Sequence, residues 1–256
     1  MPYNSIPYQQ YIRRKSPSLV TALKAQGYIS RAVHPWYGSG FRRNAVYPLL
    51  EFDSYDFLEN LNDLDYLRKY PTDLSIYQYI IKLFEEKNPA EKLFNFTVTM
   101  QNHSGYDLEG MDPTIFLTEL ENMPRVEQYL SLLKESDIAL EYLIDYFSHV
   151  DEDTIILLYG DHQPPYLEDE FWDSMQVPFY ESKTKYQVPF MLWANYDMEE
   201  KEIDAISLNY LSILLLETAG LDTTYYMDFL KELQKEIPVI TSDGYIDNSR
   251  KLLQPR

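Results

Sequence analysis

The sequence predicts an α/β fold of three layers, in which helices cover both faces of a mostly parallel central sheet. Helical and strand patterns alternate along the chain, and this order is typical of parallel sheets with crossover helices. The predicted strands at 154–159 and 188–194 are almost continuously apolar, as expected where both faces of a strand are covered. No internal repeat or linker-like segment is found, so residues 1–256 are interpreted as one domain.

The first predicted helix spans residues 16–27, with Ser16 as its N-cap and Gly27 as its C-terminal stop. Residues 28–34 follow as a strand. Residues 35–74 are rich in Tyr, Asp, Asn and Pro, and we interpret them as a long functional loop or a small insertion.

The remaining elements follow from the spacing of apolar residues. Helical spacing predicts helices near 75–87, 125–149, 207–219 and 224–236. Apolar, β-branched or aromatic runs predict strands at 93–100, 154–159 and 188–194.

Composition excludes several classes of protein. The chain has 256 residues and a formal charge of −19, a field that repels polyanions, so nucleic acid is not an expected partner. It contains no cysteine, which excludes disulfides, thiolate metal sites and cysteine nucleophiles within it. No apolar run approaches the roughly 20 residues that a membrane span needs.

Histidines follow three of the predicted strands. His34, His103 and His162 lie at or beyond the carboxyl ends of the strands at 28–34, 93–100 and 154–159, which is where parallel α/β sheets bind ligands. The sequence therefore predicts that three strands direct imidazoles to one rim. The fourth histidine, His149, falls in the last turn of the long helix, where a cation offsets the helix dipole, and is interpreted as structural.

The sharpest local motif is Gly160-Asp161-His162. A carboxylate and an imidazole at a strand end can bind one divalent cation, and a glycine permits the tight turn between them. The alternative is that Asp161 caps a turn and that His162 is an ordinary surface residue. Two ligands do not complete a site, since a catalytic zinc-type ion takes about three protein ligands.

Two further segments carry polar groups suited to an anion. Asn102, His103 and Ser104 form a polar turn after an apolar strand, which is either a binding loop or an ordinary turn. Arg42 and Arg43 are adjacent in a very acidic chain and could grip a phosphate or sulfate in a bidentate fork. The alternative for either arginine is an ion pair with one of the many carboxylates.

In their order and spacing, these segments resemble the sulfatase-type domain of lipoteichoic acid synthase-like phosphoglycerol transferases, from about Ser5 to Leu230. These proteins belong to the alkaline phosphatase superfamily and occur on the cell membrane of Gram-positive bacteria. The segments that carry the resemblance are SIPYQQYIRRKSPSLVTALKAQGY, HPWYGSGFRRNAVYPLL, FTVTMQNHSGY, LLYGDHQP and VPFMLWANYD.

The resemblance implies a metal-dependent enzyme that transfers glycerol phosphate from phosphatidylglycerol for the synthesis of cell-envelope polymers. One divalent cation is implied, either manganese or, as alternatives, magnesium or zinc, with Asp161 and His162 as two of its ligands. His103 and Arg43 match residues that contact the phosphoglycerol group. Phe41 replaces the usual Trp, and His34 matches a residue lining the same pocket.

The family's nucleophilic Thr, a Glu ligand and its membrane spans would precede Met1, so the resemblance implies a partial domain and no catalytic nucleophile within residues 1–256. On that basis we expect the chain to be inactive alone, to bind metal weakly, and to belong to a protein at the extracellular face of the membrane. Two other hypotheses stay open. One is a sulfatase or phosphodiesterase of the same superfamily. The other is a non-catalytic module that binds glycerol phosphate polymers or lipid headgroups.

Overall fold

The computed structural model describes residues 6–175, 183–241, 244–247 and 252–253. The helices are α1 (Pro7–Gln10), α2 (Leu19–Lys24), α3 (Arg43–Val46), α4 (Asp73–Glu85), α5 (Pro124–Ser148), α6 (Asp169–Ser174), α7 (Leu208–Thr218) and α8 (Tyr225–Glu236). The strands are β1 (Tyr28–His34), β2 (Ser54–Phe57), β3 (Tyr66–Leu67), β4 (Tyr70–Pro71), β5 (Lys92–Thr97), β6 (Ile155–Tyr159), β7 (Phe190–Ala194), β8 (Val239–Thr241), β9 (Gly244–Ile246) and β10 (Leu252–Leu253).

A parallel sheet with the strand order β2-β1-β5 forms the centre of the fold. Strand β1 pairs in parallel with both neighbours, so Arg31 lies opposite Ser54 on one side and Asn95 on the other. Because β1 is the middle strand, its last residue, His34, lies deep in the molecule at the carboxyl edge of the sheet.

Helices cover both faces of this sheet. Successive residues of β1 point to opposite sides, so two neighbouring residues show what packs on each face. Val33 is fully buried and packs with Ile76 and Leu83 of the α4 segment. Its neighbour Ala32 is also fully buried and packs with Tyr47 on the other face. The predicted α/β class with helices on both faces is confirmed, whereas the interpretation as one domain stays a prediction.

The second sheet departs from the prediction of parallel strands. Strands β6 and β7 pair with each other in antiparallel fashion, with Ile155 opposite Ala194. Helices α4 and α5 share one apolar cluster with these strands, in which Ile156 and Trp193 pack against a buried group that includes Phe147. The carboxyl end of β6 is not covered on both faces by the described residues, since Leu158 and Tyr159 are 36% and 40% exposed.

Residues 35–74 contain regular structure that the sequence did not indicate. They include β2, α3 and the hairpin formed by β3 and β4, so of the two interpretations, a long loop or a small insertion, the long loop was wrong in part. Strand β2 is short and mixes polar with aromatic residues, and its pairing with β1 fixes it as a strand.

The first predicted helix begins later than expected. Ser18, rather than Ser16, is the N-cap, because the Ser18 and Thr21 side chains and backbones form a reciprocal capping box. The helical segment ends before Gly27, whose φ of +85° is the left-handed conformation expected of a C-terminal glycine.

No helix among the described residues is both long enough and apolar enough to cross a membrane.

An ion pair between a buried lysine and a partly exposed glutamate connects the segment after α4 to the segment before β6. The side chain of Lys87 is only 3% exposed, and its Nζ lies 2.7 Å from Glu152 Oε2 and 3.0 Å from the carbonyl of Glu91. Removing only the carboxylate leaves a buried ammonium group without its countercharge, whereas an apolar side chain of similar length removes the charge itself.

We therefore expect Glu152→Ala to lower the free energy of unfolding by about 1–3 kcal/mol and Lys87→Met to cost less. Urea unfolding of both variants measures the difference. A larger loss for Lys87→Met than for Glu152→Ala would contradict this account of the pair.

Candidate active site

His34 is the innermost of the candidate residues. Its side chain is 1% exposed, and Nδ1 lies 3.1 Å from the carbonyl oxygen of Val98. The pKa of His34 is lowered to about 4, mainly because the ring is buried and also because positive charge on Arg43 and His103 acts on it. The ring is therefore neutral near pH 7, with Nδ1–H donating to Val98 and the Nε2 lone pair left over.

The loop after His34 has an unusual backbone. Phe41 and Arg42 have φ values of +49° and +60°, in the left-handed region that non-glycine residues rarely adopt and that costs about 1–3 kcal/mol for each residue. Gly38 is required earlier in the same loop, since a Cβ atom there would lie 2.5 Å from the ring of Phe57. Strain of this kind is concentrated at functional sites, where the surrounding structure maintains it.

Arg43 is available to bind an anion. Its Nη1 donates to the carbonyl of Gly40 at 3.3 Å, and its guanidinium carbon lies 5.0 Å from the centre of the Phe41 ring. Within the part of the chain that the structure describes, neither Arg42 nor Arg43 forms an ion pair with a carboxylate. The alternative that these arginines serve surface ion pairs therefore finds no support among the described residues.

His103 lies in the turn that follows β5, six residues beyond the end of the strand. Its backbone N–H donates to the carbonyl of Met100 at 3.0 Å, which closes the turn. Its Nδ1 lies 2.9 Å from the hydroxyl of Tyr70. Because Nδ1 faces Tyr70, Nε2 is the nitrogen left to contact a ligand.

Asp161 and His162 follow β6 and are both exposed, with side-chain exposures of 75% and 59%. His162 Nε2 lies 3.6 Å from Asp161 Oδ2, and His162 Nδ1 lies 2.8 Å from the carbonyl of Gln163. A proton on Nδ1 donates to that carbonyl and leaves Nε2 with the lone pair that a metal needs. In the described ranges, however, no group of three or more His, Asp or Glu side chains is arranged around one point.

Two of the predicted residues, Arg43 and His103, act electrostatically on a third, His34. Asp161 and His162 contact each other but, among the described residues, none of these three.

Tyrosine hydroxyls connect the two groups. Burial raises the pKa of Tyr8, on which Arg43 and Tyr159 also act, and burial raises the pKa of Tyr159, on which Asp161 acts. Arg43 and Asp161 are thus linked through two intervening tyrosines, and the convergence of the two groups on one pocket stays a prediction.

His149 is separate from the others. It is the C-cap of α5, and its Nδ1 lies 2.7 Å from the carbonyl of Asp145 in the same helix. The exposed position at the end of a helix agrees with the structural role predicted for it.

Sequence analysis did not identify Arg68 and Tyr70, which lie beside His103. They belong to the β3–β4 hairpin, inside the region interpreted as a loop. A cavity of about 260 Å³ opens next to them and is lined by Arg68, Lys69, Gly105, Asp107, Glu109 and Gly110. The one sequence signal for a hairpin is weak: the apolar pairs Tyr66-Leu67 and Tyr70-Pro71 flank the charged pair Arg68-Lys69.

Comparison with known proteins places this chain in a family. The sulfatase family profile matches residues 1–221. The "Putative cyclic beta-1,2-glucan modification protein" of Rhizobium meliloti (strain 1021) is 32% identical in an alignment 253 residues long, which covers 94% of this chain and 39% of that protein. The chain spans less than half the length of the curated relatives it matches.

Two solved structures share the fold. Streptococcus pyogenes phosphoglycerol transferase GacH, solved in complex with sn-glycerol-1-phosphate, is 24% identical with a TM-score of 0.65. That match covers 84% of this chain and 56% of GacH. A protein in the alkaline phosphatase superfamily from Vibrio parahaemolyticus is 17% identical with a TM-score of 0.71, over 100% of this chain and 67% of that chain.

Proposed function

Because this chain belongs to the sulfatase family, we propose that it is part of an enzyme that transfers phosphoglycerol to a cell-envelope polymer. The observation that carries the proposal is that Arg43, which has no carboxylate partner among the described residues, acts electrostatically on His34 together with His103. The solved complex of GacH with sn-glycerol-1-phosphate supports a phosphoglycerol group as the ligand, and the glucan-modifying relative supports a polysaccharide acceptor.

Each residue has a defined task in this proposal. Arg43 donates two parallel hydrogen bonds to phosphate oxygens, the geometry in which arginine binds phosphate best. His103 donates from Nε2 to the same group, and Phe41 lies under the guanidinium and restricts its orientation. His34 stays neutral and lines the inner wall, so it adds a polar contact without charge.

Asp161 and His162 would hold the divalent cation. Their donor atoms are 3.6 Å apart, so a cation at about 2.0–2.2 Å from each could contact both. The tautomer set by Gln163 leaves the correct nitrogen for it. Such a cation supplies Lewis-acid stabilisation of charge on the phosphoryl oxygens. Mixed carboxylate and imidazole ligands suit manganese, magnesium or zinc, and we propose manganese.

The protein as it occurs in the cell is placed by this proposal at the extracellular face of the membrane. Phosphatidylglycerol, the proposed donor, is a lipid, so its headgroup is reached only at a membrane surface. The strongly negative chain, with its charge of −19, does not favour attachment to anionic lipids by itself.

The activity test uses that cellular protein with manganese, phosphatidylglycerol vesicles and an envelope glucan. We expect release of diacylglycerol, and we expect Asp161→Asn to lower its rate by about 100-fold or more, because the cation would lose an anionic ligand. Asp151→Asn, at an exposed position on the loop before β6, is the matched control and should keep the rate.

Other outcomes would identify the other members of the superfamily. Release of sulfate from a sulfate ester, or of glycerol phosphate into water without an acceptor, would show a hydrolase and contradict transfer. Binding of sn-glycerol-1-phosphate that survives Asp161→Asn, with no turnover of any substrate, would favour a binding module.

A further inference from the structure

A short hairpin contacts two loops of the candidate site, the loop after β5 that carries His103 and the loop after β1 that leads to Arg43. Strands β3 and β4 pair through Leu67 and Tyr70, with Arg68 and Lys69 at the turn. Arg68 has a φ of +55°, a left-handed conformation that is costly for any residue with a side chain. Arg68, the residue with the strained backbone, is also the residue whose side chain contacts the His103 loop.

The guanidinium of Arg68 holds three consecutive parts of that loop. Its Nη2 donates to the carbonyls of Gln101 at 2.8 Å and His103 at 2.9 Å, and its Nη1 donates to the carbonyl of Gly105 at 3.1 Å. These carbonyls lie in irregular backbone after β5 and would otherwise need water or strand partners. A single planar fork thus fixes the backbone on both sides of His103.

The same hairpin fixes the imidazole itself. The hydroxyl of Tyr70 lies 2.9 Å from His103 Nδ1, and its ring centre is 5.3 Å from the imidazole centre. Tyr70 is only 3% exposed and also contacts Trp36, which follows His34, with ring centres 5.6 Å apart. The tyrosine therefore bridges the histidine loop after β5 and the loop that leads to Arg43.

Two features of Arg68 in this hairpin are energetically unfavourable. Besides the left-handed backbone, Nε of Arg68 is buried and has no hydrogen-bond partner among the described residues. The guanidinium lies between the rings of Tyr70 and Tyr106, at 5.4 Å and 5.5 Å from their centres. Aromatic groups on both sides restrict the arginine to the position that reaches the three carbonyls.

We propose that Arg68 and Tyr70 are positioning residues, which hold the backbone and the ring of His103 so that its Nε2 faces the bound phosphate group. This inference rests on the proposed function for the part that concerns phosphate. The orientation of the ring is a property of the ligand-free protein and is tested separately.

The first test replaces Tyr70 with phenylalanine in the 256-residue chain, with Tyr66→Phe as the matched control. Tyr66 lies on the partner strand and is 51% exposed, so its hydroxyl can be lost without consequence for His103. The ring ¹⁵N signals of His103 report which nitrogen carries the proton. We expect them to change in Tyr70→Phe and to stay as in the wild type in Tyr66→Phe, without ligand in either case.

The second test measures binding of sn-glycerol-1-phosphate by the same proteins. Loss of one hydrogen bond to His103 should weaken binding by about three- to tenfold in Tyr70→Phe. Arg68→Lys keeps the charge but not the planar fork, so it should weaken binding as much as Arg68→Gln does.

The outcomes separate the two claims. Unchanged His103 ring signals in Tyr70→Phe, or full binding in Arg68→Lys, would overturn the positioning role. If the ring signals change but His103→Ala binds sn-glycerol-1-phosphate as the wild type does, the hairpin orients His103 and the proposed function fails.

Discussion

Replacing Arg43 with alanine is expected to weaken the binding of sn-glycerol-1-phosphate by about 10- to 100-fold. Arg43 has no carboxylate partner among the described residues, so its guanidinium is free to form charge-assisted hydrogen bonds with the phosphate. A hydrogen bond to a charged group contributes about 1.5–3 kcal/mol, which corresponds to that loss of affinity. Titration calorimetry on the chain measures it.

The neighbouring arginine is the control for this experiment. Arg42 carries the same charge on the same strained loop, but its guanidinium points to the carbonyl of Gln9. Arg42→Ala should therefore change the affinity by less than about twofold, since only screened long-range charge is lost. Arg43→Lys should fall between wild type and Arg43→Ala. Equal losses for Arg42→Ala and Arg43→Ala would show general attraction of anions and contradict a specific site.

Acidification from pH 6.5 to pH 4 is expected to destabilise the chain through His34. The pKa of His34 is about 4 in the folded protein, mainly because of burial, against 6.5 when the ring is exposed. Between pH 6.5 and pH 4, His34 is protonated in the unfolded chain and mostly neutral in the folded chain. Protonation therefore favours the unfolded chain, and the stabilisation present above pH 6.5 is lost as the pH falls to 4. The two pKa values correspond to at most about 3 kcal/mol.

Urea unfolding at a series of pH values tests this, with His34→Asn as the variant. The asparagine amide can still donate to the carbonyl of Val98, but it does not titrate. The loss of stability on acidification should be smaller in His34→Asn than in the wild type. His149→Asn, which removes an exposed histidine at the end of α5, should lose as much stability on acidification as the wild type. An equal loss in His34→Asn would contradict the account.

Much of the fold could be predicted because its long elements are strongly patterned. The apolar stripe of α5 predicted a helix at 125–149, and the structure has it at Pro124–Ser148. Strand β2 could not be predicted, because Ser54-Tyr-Asp-Phe57 has no strand pattern of its own and is ordered by its pairing with β1. The antiparallel pairing of β7 with β6 could not be predicted either, since an apolar run does not show in which direction the strand pairs.

Candidate site residues were predicted where they follow strands, and Arg43 was predicted because two arginines are adjacent in a very acidic chain. His34, His103 and the Asp161–His162 pair were identified because ligands bind beyond the carboxyl ends of strands. Arg68 was not identified, because it acts on backbone carbonyls 33 to 37 residues later in the chain, and backbone atoms leave no trace in a sequence.

The most direct test of the common pocket follows the four histidines by NMR while the 256-residue chain is titrated with sn-glycerol-1-phosphate. The account predicts that the ring signals of His34, His103 and His162 shift together and saturate at one ligand concentration, while those of His149 do not move. Shifts of His103 with His162 unchanged at saturation, or equal shifts of all four rings, would contradict a pocket that joins the Arg43 loop to the Asp161–His162 pair.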